Sequence, residues 1–140
     1  MSGGKIAVLC PNLGLDRIGS LGTLEPGTVM RFRSALASAG GKGLNLARAA
    51  AALGSEVCVV GFLGGWIGRL VAELAERERL VVHPYWVQAE TRVNTIVLED
   101  SGRVTVFNEE GPRLDARLAS ELLELLEQKL EDSALVVAIG

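Results

Sequence analysis

Apolar and polar residues follow one another along this chain in two rhythms, and each change of rhythm marks an element. Short unbroken apolar runs at 6–10, 56–62, 80–82 and 134–139 have the pattern of strands buried on both faces. Between them, apolar positions recur three and four residues apart. Over 45–53, Leu46, Ala49, Ala50 and Leu53 share one face, and Gly54 suits the C-terminal cap. Over about 66–79, Ile67, Leu70, Val71 and Leu74 face inward while Glu73, Glu76, Arg77 and Glu78 face water. A third helix, capped by Asp115 and reaching about Leu130, turns Leu118, Leu122, Leu125 and Leu126 to the core. Its apolar stripe is too short for a coiled coil. Buried strands joined by helix-sized crossovers predict a parallel sheet with helices on both faces.

Two stretches break this alternation. Residues 16–38 mix polar and apolar positions around Gly19, Gly22 and a Glu25-Pro26-Gly27 turn, with strand-like alternation over 28–37. In 91–98, Thr91, Val93, Thr95 and Val97 alternate with Arg92, Asn94, Ile96 and Leu98. Glu99-Asp100-Ser101-Gly102 then reads as a hairpin turn into 103–108. The two excursions predict a small antiparallel sheet beside the main one.

A length of 140 residues suits one domain, and 49% hydrophobic with 22% charged residues fits a folded chain. The formal charge of −3 gives no general attraction for nucleic acid or for an anionic membrane. Cys10 and Cys58 lie in apolar runs and read as buried thiols of a reducing compartment. The first apolar run is too short for a signal peptide or a membrane span, so a cytoplasmic location is expected.

The chemistry concentrates at 39–54, Ala-Gly-Gly-Lys-Gly-Leu-Asn-Leu-Ala-Arg-Ala-Ala-Ala-Ala-Leu-Gly. Glycines around one lysine open straight into a helix, whose unpaired N–H groups and dipole favour an anion or a polyol. The spacing matches neither a Walker loop nor a dinucleotide fingerprint, and a tight strand-to-helix turn is the alternative reading.

Five segments occur in order: Asn12-Leu-Gly-Leu-Asp16, the glycine-lysine block through Arg48, Gly61-Phe-Leu-Gly-Gly65, Glu90-Thr-Arg-Val-Asn-Thr95 and Asn108-Glu-Glu-Gly-Pro112. Together they resemble the ribokinase-like pfkB carbohydrate kinases, in the branch that phosphorylates phosphosugars. The resemblance implies ATP-dependent phosphorylation of fructose 1-phosphate, fructose 6-phosphate or tagatose 6-phosphate. It makes Asp16 a partner of sugar hydroxyls. Gly40, Gly41 and Asn45 would line the sugar, Lys42 would lie near its polar groups, and Arg92 would grip the substrate's phosphate. Asn94 and Asn108 fall in matching neighbouring segments. A lid over the sugar, often a dimer contact in the family, would correspond to about 16–38 and 91–106.

Family members are longer, and their second half carries the catalytic base and the nucleotide pocket. The resemblance therefore implies the N-terminal half of a ribokinase-like domain over 1–140, a fragment expected to be inactive alone. ATP and Mg²⁺ would serve the longer enzyme and not bind this chain by itself. The alternatives are a non-catalytic sugar-phosphate-binding module, or a half-domain that joins a separate nucleotide-binding chain. Self-association through the lid or an exposed sheet edge is expected in each case.

Other residues carry plainer readings. Asn45 can cap the helix as well as touch sugar. Arg31 and Arg33 suit a half-exposed strand, with a phosphate or lid role open for Arg31. His83 lacks nearby metal-ligand partners. Trp66, Tyr85 and Trp86 read as core or lid packing, and Gly61, Gly64, Gly65 and Gly68 as turn residues.

Overall fold

The computed structural model describes residues 3–131 and 133–140. In chain order its elements are β1 (Gly3–Leu9), β2 (Gly14–Leu21), β3 (Ser34–Gly40), α1 (Lys42–Ala52), β4 (Ser55–Gly64) and α2 (Gly65–Arg77). Beyond α2 lie β5 (Val81–Val87), β6 (Arg92–Glu99), β7 (Val104–Asn108), α3 (Ala116–Glu127) and β8 (Ser133–Ala138).

The apolar runs form one parallel sheet in the order β5-β4-β1-β8. Successive side chains of a strand point to opposite faces, so an unbroken run fills two cores. On one face Val8, Cys10, Val59 and Leu63 pack with Leu44 and Ala47 of α1 and Val71 and Ala75 of α2. On the other, Ala7, Cys58, Val60 and Phe62 meet Leu122 and Leu126 of α3. Each fully buried Val or Leu contributes about 1.5–3 kcal/mol over its exposed state. Asp115 caps α3, its Oδ1 accepting from the Leu118 N–H at 2.8 Å. β8 lies at the sheet edge with Leu135 and Val136 about half exposed.

The excursions form a second sheet, and it corrects the expectation of a half-domain with a small antiparallel lid. This sheet has four strands, β3-β2-β6-β7, as many as the first. Its central pair, β2 and β6, is parallel, running in register from Gly14 opposite Arg92 to Leu21 opposite Glu99. Only the flanking pairs are antiparallel. Leu13, Leu15, Ala39 and Val93 pack into the same core as Val8, Val59 and Val71, and α2 touches β2 and β3 as well as β4 and β5. Both sheets therefore belong to one α/β domain with a shared core.

Several boundaries also move. The alternation at 28–33 is loop, and β3 begins at Ser34. A turn with Gly27 at φ 83° and an Arg33–Asp100 ion pair hold that loop outside the ladder. β5 extends far beyond 80–82, through Pro84 to Val87, because it is an edge strand where a missing N–H costs little. α1 begins at Lys42, not Asn45, since Gly41 at φ 115° makes the turn that releases the helix. Trp66 and Trp86 are exposed by 78% and 49%, which corrects their reading as packing residues. Tyr85 does pack, edge-on against Phe62 at 5.8 Å.

Candidate functional site

The carboxyl ends of β1 and β4, the start of α1 and one end of the second sheet meet in one region. In open α/β sheets such ends leave backbone groups and loop side chains free for ligands. β6 supplies two side chains to it. Arg92 and Asn94 are two residues apart and project from the same face. The Arg92 Nη2 donates to the Asn12 carbonyl at 3.1 Å, which fixes the guanidinium. Its Nε is buried and has no partner. Asn94 is buried too, and its Nδ2 donates to Asp16 Oδ1 at 2.8 Å. The Asn94 Oδ1 is the second buried atom left without a partner here.

Two glycines make room for these groups. Gly14 stands opposite Arg92, and a methyl there would sit 3.0 Å from its Cγ. A Cβ on Gly40 would overlap the Asp16 carboxylate outright. Gly41 ends β3's excursion in the left-handed region, which favours glycine. It serves as the N-cap of α1 and has no side chain to cap the first turn, where Cys10 Sγ takes the Gly43 N–H. Lys42 is exposed and donates from Nζ to the Gly140 carbonyl at 2.6 Å, which sets it over the carboxyl end of β8.

Cys10 lies beneath this region and accepts from the Gly43 N–H at 3.3 Å. Burial pushes its thiol pKa up. Hydrogen bonds from the Gly43 and Asn12 backbones and the nearby charges of Arg92 and Lys42 oppose that shift. Arg92 and Lys42 thus both lie close enough to Cys10 for their charges to act on it.

Of the residues singled out from sequence, Asp16 touches both Asn94 and Gly40, and Arg92 lies two residues from Asn94 on β6, beside Gly14 and the Asn12 carbonyl. Gly41 and Lys42 border them at the start of α1. Asn108 is the register partner of Asn94 on β7 and is exposed. Asn45 is exposed inside α1, where its Oδ1 accepts from Arg48 Nη1 at 2.8 Å. It does not cap the helix. Arg31 lies in the exposed loop between β2 and β3.

Two residues carry more than their sequence positions announce. Arg48 binds the Ala39 carbonyl at 2.5 Å, Ser38 Oγ at 3.2 Å and the Glu78 carboxylate at 2.5 Å. That bond to Glu78 raises the Arg48 pKa and lowers that of Glu78, and Asp16 adds to the first effect. The signal for Arg48 was a lone charge three residues after Asn45 in an alanine-rich helix. Asn12 acts through its backbone carbonyl, and no residue pattern announces that.

Comparison with known proteins places these residues in a family context. The model of the pfkB family carbohydrate kinases matches residues 15–140. A 1-phosphofructokinase of Haloferax volcanii is 37% identical over 113 residues, covering 81% of this chain and 37% of that protein. The structure of phosphofructokinase-2 from Escherichia coli in complex with fructose-6-phosphate superposes with a TM-score of 0.86 at 28% identity. That match covers 98% of this chain and 45% of the other. A possible 1-phosphofructokinase from Thermotoga maritima gives a TM-score of 0.87 at 24% identity, over 97% of this chain and 44% of its own, a likeness of fold.

These matches correct the expectations built on an N-terminal half. The family match runs from residue 15 to residue 140, and the solved structures match the chain nearly from end to end. Likeness to these kinases is therefore a property of the whole chain, and "fragment" is not a description the matches support. Inactivity alone, a missing catalytic base and a stand-alone binding module all rested on the position of the chain's last residue, and they are withdrawn. The chain spans less than half the length of the relatives it matches. No helix among the described residues is long and apolar enough to cross a membrane.

Proposed function

Because this chain belongs to the pfkB family of carbohydrate kinases, we propose that it binds a phosphorylated ketohexose as the acceptor in an ATP-dependent phosphoryl transfer. The candidates are fructose 1-phosphate, fructose 6-phosphate and tagatose 6-phosphate. The observation that carries this reading is the pair of buried, unpartnered polar atoms on one face of β6, Arg92 Nε and Asn94 Oδ1. Buried polar atoms are nearly always satisfied, and an unsatisfied one costs about 1–3 kcal/mol. A ligand carrying both an anion and hydroxyl groups satisfies both atoms at once.

In this reading Arg92 donates to the phosphate already on the sugar, with Asn12 holding the guanidinium plane. Asn94 Oδ1 accepts from one hydroxyl. Asp16 accepts from another with Oδ2, since Asn94 already occupies its Oδ1. Asn45 and Asn108 border the sugar, and Gly40 and Gly41 let it approach the backbone. Holding the acceptor in one orientation is a large share of catalysis in phosphoryl transfer. Bound ATP supplies the phosphoryl group. Lys42 and the positive end of the α1 dipole have the charge that suits its phosphates. Among the described residues no three His, Cys, Asp or Glu side chains converge as a metal-ligand set, and no Mg²⁺ ligand is assigned. The names of the Haloferax volcanii and Escherichia coli relatives support the same substrate class.

The test is ADP formation with each of the three phosphosugars and with unphosphorylated fructose. Arg92→Ala should raise KM for the phosphosugar by about tenfold or more, the cost of one charge-assisted hydrogen bond to phosphate. Equal turnover of fructose and its phosphates, or an unchanged KM in the variant, would overturn the reading.

A further inference from the structure

The amino ends of the first sheet's strands, opposite the site just described, carry a second concavity. Lys5 of β1, Ser55 and Glu56 at the start of β4, His83 of β5, and Arg79 and Leu80 from the α2–β5 link line a cleft of about 360 Å³. That volume suits a small ligand.

Arg79 holds an unusual backbone for this place. Among the described residues it is the one non-glycine with positive φ, at 60°. The position follows the end of α2, where glycine is the ordinary occupant, and α1 ends in that way at Gly54 with φ 86°. An arginine accepts a steric penalty there that glycine avoids. Backbone closure of the helix does not explain the choice, since a glycine would make the same bond from Arg79 N–H to the Glu76 carbonyl. What the arginine adds is a long cationic side chain on a residue that lines the cleft.

The charges around the cleft are unbalanced. Lys5, Arg79 and His83 face one carboxylate, Glu56. Lys129, from the segment after α3, adds to the positive field at His83. Among the described residues neither Arg79 nor Lys129 enters a salt bridge, and Lys5 Nζ reaches only the Glu131 carbonyl at 3.3 Å. Burial, and then the charges of Lys129 and Lys5, lower the imidazole pKa of His83.

We propose that this cleft is a second anion site, distinct from the sugar-phosphate site, that takes a small phosphate-bearing molecule between Lys5, Arg79 and His83. Donors from three separate elements surround the cavity, and a phosphate accepts from several directions at once. Its occupation is independent of Arg92, because it opens at the other end of the same strands.

His83 is the chain's sole histidine, so its imidazole gives one unambiguous NMR signal. Inorganic phosphate, titrated against chloride at constant ionic strength, should shift that signal saturably. It should also raise the His83 titration midpoint by about half a pH unit or more, because a nearby anion favours the imidazolium. Arg79→Gly removes the guanidinium and relieves the backbone, so the variant folds while the response falls severalfold. Arg92→Ala should leave the response intact. An unchanged midpoint in phosphate, or the same response in Arg79→Gly as in the parent, overturns the proposal. Loss of the response in Arg92→Ala also overturns it, by assigning the effect to the sugar-phosphate site.

Discussion

The proposed site at Asp16, Arg92 and Asn94 has room because two glycines stand where side chains would otherwise be. Gly40 is the more demanding of them, since its missing Cβ is the space that the Asp16 carboxylate occupies. Gly40→Ala should leave the circular dichroism spectrum close to that of the parent. It should weaken phosphosugar binding about tenfold, because Asp16 must turn away from Asn94. Equal affinities in a calorimetric titration would show that Asp16 is not a ligand contact. At this scale identity and spacing singled out Asp16, Lys42, Arg92 and Asn94, whose roles toward a sugar belong to the proposed function. The sequence was silent where the role belongs to a backbone carbonyl, as with Asn12. It was silent also where a side chain reaches across elements, as Arg48 does to β3 and Glu78.

The elements differ in how they are held. α3 was legible to its cap, because Asp115 and a four-leucine stripe are local signals. The loop between β2 and β3 was not, because its alternating residues imitate a strand while distant groups hold them out of the ladder. Glu99, its side chain 1% exposed, accepts from the Leu24 N–H at 2.7 Å and pairs with Arg103. Arg103, then the Leu24 N–H, hold the Glu99 carboxyl below the usual carboxylate range. The folded pKa is thus lower than the unfolded one, so the stabilisation is present above the unfolded value. It is lost as pH falls through the folded value. Acidification below about pH 4 should therefore loosen this loop, seen as faster amide exchange at Leu24 than in Glu99→Gln measured against its own neutral-pH rate. An equal acid response in parent and variant would remove Glu99 from the account.

At the scale of the molecule, the parallel sheet and its two covered faces follow from unbroken apolar runs and helical periodicity. The second sheet was read too small, since pattern alone does not say that β2 and β6 lie parallel or that Leu13, Leu15 and Val93 share the core of Val8 and Val59. That shared core is what fixes β6 against the carboxyl ends of the first sheet and turns Arg92 and Asn94 toward the start of α1. The central claim is that these two side chains keep buried polar atoms for a phosphosugar. The most direct test is the Arg92 Nε–H resonance in ¹⁵N-resolved NMR, assigned by its loss in Arg92→Lys. It should move on saturation with at least one of fructose 1-phosphate, fructose 6-phosphate and tagatose 6-phosphate, and stay in place with fructose. A resonance that none of the three displaces would contradict the account.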